Sequence, residues 1–161
     1  MAARSLTPRR VLLAWLMTIG VDLLLHAGLF ARLFEASREP ALLPDTVLFR
    51  RIPVAYGTLL VGVVALAWIL DLAGQSGFRA VRTGALGGLL IGAMGLGGLW
   101  TALTITGLFV AAGIVVLAIQ GSAAAAVLAS TGTTRSLTLR VVLLVIACFA
   151  IGQLEANLLK S

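Results

Sequence analysis

Asp22 and His26 are the two residues of this chain whose types and spacing could do chemistry. They stand four positions apart inside an apolar run at residues 11–31, so on a helix they share a face and can touch. Thr18 and Trp15 continue that face towards the N-terminus. Ionisable groups within a membrane span usually mark function, and such a pair could pass a proton, hold a ligand or couple transport. The same pair could be structural, with Asp22 bonded to His26, Thr18 or a neighbouring helix to fix orientation. It could also serve an enzyme acting on a lipid or quinone-like substrate, His26 as general base and Asp22 orienting it.

Other chemistries find little support in the residue inventory. Asp22 and His26 supply two metal ligands at most, so neither a metal nor any other cofactor is expected. Cys148 is the only cysteine, which excludes an intrachain disulfide and a thiolate cluster. Ser76, Ser122 and Ser130 stand in no nucleophile motif, and one histidine leaves little for catalysis. The glycine-rich GALGGLLIG lacks the lysine and the strand of a phosphate loop. Glu155 is a secondary candidate, either a second proton site or a solvated acid at the interface.

The elements that must hold these residues are membrane helices. Apolar residues make up 60% of the 161 and charged residues 11%, and the mean hydropathy is +1.10. At about 1.5 Å per residue the first run covers a hydrocarbon core of roughly 30 Å, with Asp22 near its middle. Its length, its acid and its lack of a small-residue cleavage motif favour a retained anchor over a signal peptide. An amphipathic extension and loop follow over residues 32–53: the helix is expected to end near Arg38, ahead of Pro40, and residues 45–51 to form a short interfacial turn before Pro53 opens the next helix.

Further spans are expected at about residues 54–73, 81–101, 107–129 and 137–158, giving an all-α bundle of about five crossings in one domain. Gly74 is a natural stop for the second, and Asp71 in its last turn should seek Arg79 or Arg82. The uncharged stretch from Thr83 to Thr134 is too long for one crossing and is divided near residues 104–106. In the third span Gly84, Gly88 and Gly92 form two overlapping GxxxG steps, with Gly95 and Gly98 roughly continuing that side. Such a ridge lets another helix approach closely. The fourth span weakens where Gln120 and Ser122 appear.

The net charge of +6 comes mostly from arginines near the ends of apolar runs, which read as headgroup anchors rather than a nucleic-acid surface. With the N-terminus in the cytoplasm, Arg4, Arg9, Arg10, Arg79, Arg82, Arg135 and Arg140 lie inside. Arg32, Arg38, Arg50, Arg51 and Lys160 lie outside. Arginine-rich, lysine-poor usage beside abundant alanine and glycine suggests a GC-rich bacterial genome, hence a bacterial inner membrane.

The order Asp22, His26, Leu29, Phe30, then Arg51 and Pro53 before a second span and a glycine-rich third, resembles small bacterial multi-spanning membrane proteins of uncharacterised families. The likeness covers about the first hundred residues and implies a multi-spanning fold without an activity. The expected role is therefore a non-enzymatic carrier or complex subunit with Asp22 and His26 at its polar centre. The expected company is the lipid bilayer and a membrane-protein partner or second copy.

Overall fold

The computed structural model of the chain describes residues 7–30, 45–102, 106–131 and 133–158, and every regular element among them is helical. Helix α1 spans Pro8–Leu24 and passes directly into a π-helical turn, Leu25–Leu29. Helices α2 (Asp45–Leu72), α3 (Gly77–Ala102), α4 (Gly107–Leu128) and α5 (Thr134–Leu158) follow. Each of these four contains a stretch long and apolar enough to cross a membrane: Arg50–Leu72, Gly77–Thr101, Gly107–Leu128 and Arg135–Glu155. The chain is a multi-pass helical membrane bundle. Such helices satisfy their own backbone groups, as a hydrocarbon solvent demands.

Helix α1 is the hub, packed against α2, α4 and α5, while α3 lies mainly on α4. Matched positions give the directions. Arg9 bonds Thr138, Gly20 faces Val145, Gly152 faces Leu23 and Gly28 faces Glu155, so α1 and α5 run parallel. Asp22 meets Gln120 and Tyr56, whereas Leu13 and Ala14 share a core cluster with Ala67, Leu70 and Leu128. Both α2 and α4 therefore run antiparallel to α1. A second cluster, Val21, Leu25 and Val116, continues the α1–α4 seam towards the π-turn.

Glycine governs the tightest contact. A Cβ on Gly84 would meet the carbonyl oxygen of Gly121, one on Gly88 that of Leu117, and one on Gly92 the Cα of Ile114 at 3.0 Å. The expected ridge is thus a backbone-to-backbone seam between α3 and α4. It does not continue to Gly95 and Gly98, which face open space, because the next position of that face after Gly92 is Leu96, whose side chain packs at Gly113.

Other expectations need correction. Helix α2 begins at Asp45 with Pro53 inside it, not after an interfacial turn. Within a bilayer an uninterrupted helix leaves fewer backbone groups unsatisfied than a loop, which outweighs the one hydrogen bond that proline removes. The helices α3 and α5 also start earlier than the expected spans, so that Arg79 and Arg135 fall in their first turns. Gly74 and Gly77, at φ +57° and +56°, make the tight α2–α3 turn. Asp71 is exposed and, among the described residues, forms no ion pair with Arg79 or Arg82. The amphipathic extension, including its end near Arg38, falls at residues 31–44, outside the described residues; so do residues 103–105 of the α3–α4 connection.

Candidate functional site

The carboxylate of Asp22 is a meeting point of three elements. Gln120 Nε2 on α4 donates to Oδ1 at 2.7 Å, and the Tyr56 hydroxyl on α2 donates to Oδ2 at 3.3 Å. His26 Nδ1, in the π-turn, lies 3.0 Å from Oδ1 and 3.3 Å from the Asp22 carbonyl. Both of those oxygens accept, so Nδ1 is the ring nitrogen that carries hydrogen. Three donors around one carboxylate answer the cost of an acid inside an apolar bundle.

Local folding places each partner. The π-turn, closed by a bond from Phe30 N to the Leu25 carbonyl at 2.8 Å, begins one residue before His26 and widens the helix just beyond Asp22. Such bulges recur at functional sites. Tyr56 is also held from behind, since Trp15 Nε1 donates to its backbone carbonyl at 2.8 Å. Gln120 is 3% exposed, in a helix whose next turns present Ala124 and Ala125 to the core. The weak hydropathy at the end of α4 therefore marks a protein-facing helix end.

The predicted residues do not all gather here. Asp22 and His26 touch, but the His26 side chain is 45% exposed and stands at the edge of the bundle rather than inside it. Thr18 is buried, yet its hydroxyl donates to the Trp15 carbonyl at 2.7 Å and not to Asp22; a threonine inside a helix finds that carbonyl one turn back. Glu155 sits apart on α5, against the notch left by Gly28 in the π-turn. Its Oε2 is buried and has no hydrogen-bond partner among the described residues, so Glu155 is not a freely solvated acid.

Sequence reasoning missed Gln120 and Tyr56 as partners. Gln120 carried a signal, the only side-chain amide within an otherwise apolar span. Tyr56 stands close to the expected start of the second span, where a tyrosine suits the membrane interface, and nothing in its spacing points to Asp22.

Beside the site, α2 and α3 stand apart over α4 and leave a half-open cleft of about 360 Å³. Thr18 and Gln120 reach its wall from the Asp22 side. Among the described residues no group of three histidine, cysteine, aspartate or glutamate side chains could hold a metal ion. Comparison of the chain with protein families, with curated proteins and with solved structures found no match in any of the three.

Proposed function

We propose that this is a non-enzymatic carrier or complex subunit of a bacterial inner membrane, with Asp22 and His26 as its proton-binding centre. The carrying observation is the convergence of Gln120, Tyr56 and His26 on one carboxylate, with His26 half exposed. A proton can enter through the exposed imidazole, and its arrival changes the charge to which donors on α2 and α4 are bonded. That links proton occupancy to helix packing, as a coupled carrier or a gated subunit requires.

In this reading α1 and its π-turn form a fifth crossing. A 17-residue α-helix and a 5-residue π-turn, at about 1.5 Å per residue, extend roughly 30 Å, enough for a hydrocarbon core. The parallel course of α1 and α5 is what odd-numbered crossings require. The N-terminus is cytoplasmic by the distribution of arginines.

The test is infrared difference spectroscopy of the reconstituted protein between acidic and alkaline buffer. The wild type should show carboxyl and imidazole protonation bands, with one carboxyl component missing in Asp22→Asn and the imidazole bands, which the single histidine alone can give, missing in His26→Gln. A spectrum unchanged by both substitutions would overturn the proposal. Proton entry into protein-bearing liposomes then separates a carrier from a subunit.

A further inference from the structure

We infer that the groove between the parallel helices α1 and α5 holds one anionic phospholipid at the N-terminal end of the bundle, with its phosphate on Arg9 and Arg135 and an acyl chain along Leu12, Leu16 and Val142. The inference does not rest on proton binding at Asp22 and His26, which stand towards the other end of α1.

Two guanidinium groups are brought together here without a counter-ion. Arg9 of α1 donates from Nη2 to the Thr138 hydroxyl of α5 at 3.3 Å, which sets its charge over the line where the two helices meet. Arg135 stands one helical turn before Thr138 on α5, and hence on the same face. Both arginines are exposed, and among the described residues neither forms an ion pair. Asp71 on α2, the one acid described at this end, forms none either. Neither α1 nor α5 carries an acid in its first turn, so the positive ends of two parallel helix dipoles face the same headgroup region uncancelled. Neighbouring guanidinium groups repel each other. A phosphate shared between them removes that repulsion and gains charge-assisted hydrogen bonds from both.

The surface beneath the two charges suits a hydrocarbon chain. Leu12 and Leu16 follow Arg9 at one-turn steps along α1, and Val142 follows Thr138 one turn on along α5, so all three lie below the guanidinium groups on the walls of one groove. All three are exposed. A charged head above an exposed apolar strip matches a lipid, whereas a soluble anion would make no use of the strip. A zwitterionic lipid brings the same phosphate together with a cation of its own, which the two arginines repel. Other arginines at this end lack the arrangement. Arg140 follows Thr138 by two positions and therefore lies on the opposite side of α5, and Arg82 stands on α3, which packs mainly on α4.

The experiment is native mass spectrometry of the full chain in detergent, titrated with dioleoylphosphatidylglycerol. Beside it stand dioleoylphosphatidylethanolamine, which keeps the phosphate and chains but adds a cation, and glycerol phosphate, which keeps the anion without the chains. One phosphatidylglycerol per chain is expected to bind about tenfold tighter than either comparison compound, since each basic residue near an anionic headgroup is worth about fivefold in affinity. Arg9→Gln and Arg135→Gln should each weaken that first lipid by about fivefold, while Arg82→Gln and Arg140→Gln leave it within about twofold. An equal loss in all four variants would show a diffuse attraction by the whole charged end and overturn the inference. Equal affinity for phosphatidylglycerol and either comparison compound would overturn it as well. Should Arg9→Gln not fold, the exposed Arg135→Gln, set against Arg82→Gln and Arg140→Gln, still decides it.

Discussion

Gln120 Nε2 and Asp22 Oδ1 lie 2.7 Å apart, a hydrogen bond across 98 positions of sequence that joins the middle of α4 to the π-turn end of α1. Its two ends differ in what they can spare. Asp22 has further donors in Tyr56 and His26, whereas among the described residues the Gln120 amide nitrogen bonds only to Asp22.

That asymmetry predicts the response to substitution at Asp22. Asp22→Asn keeps an oxygen acceptor and should fold with modest loss. Asp22→Leu leaves the Gln120 and Tyr56 donors unsatisfied, at ~1–3 kcal/mol for a buried group. A buried polar cluster replaced wholesale by apolar residues can be neutral, but here the partners remain. Denaturation in detergent should therefore rank wild type, then Asn, then Leu. Leu as stable as Asn would show that the convergence on Asp22 contributes nothing to the fold.

The seam between α3 and α4 predicts a sharp division among glycines. In Gly88→Leu the new Cβ meets Leu117 and Ala118 backbone, which cannot give way as a side-chain end would. Overpacking typically costs ~1–3 kcal/mol and more against backbone, so misfolding or a large drop in Tm is expected. Gly95→Leu and Gly98→Leu face open space and should melt within a few degrees of the wild type. A uniform effect along the helix would count against the seam.

These particulars show what the chain reveals on inspection and what it conceals. The ridge at Gly84, Gly88 and Gly92 was legible because a period near four in glycine has one physical use in a membrane helix. Gly95 and Gly98 were misjudged as its continuation, since the same period of four leads from Gly92 to Leu96, which packs at Gly113. Asp22 and His26 were legible through their cost. Tyr56 was hidden because a tyrosine near a helix end fits the interface equally well, and only the antiparallel packing of α2 on α1 brings its hydroxyl to Asp22. The start of α2 was misread through Pro53, whose local preference yields to the need for continuous backbone bonding in lipid.

Five crossings predict termini on opposite sides. In a Cys148→Ala background, single cysteines introduced at Ala2 and at Ser161 should react with a membrane-impermeant maleimide from opposite faces of oriented vesicles. Labelling of both from one face refutes five crossings and would remove α1 from the set of spans.

The seat of Glu155 at Gly28 predicts an energetic coupling between the π-turn and α5. A Cβ at Gly28 would collide with Glu155 Oε2 and approach the Gly152 Cα at 3.2 Å. The carboxyl is the flexible partner and the glycine backbone the rigid one, so the damage from Gly28→Ala should come chiefly through Glu155. Shortening the acid to Glu155→Ala removes the obstacle and an unpartnered buried oxygen together. In a double-mutant cycle, Gly28→Ala should destabilise the wild type by ~1–3 kcal/mol as an overpacked contact, and by clearly less when Glu155→Ala is present. Residues in direct contact typically show coupling of ~0.5–3 kcal/mol. The sign matters more than the size. If the two effects simply add, Glu155 does not occupy the Gly28 notch.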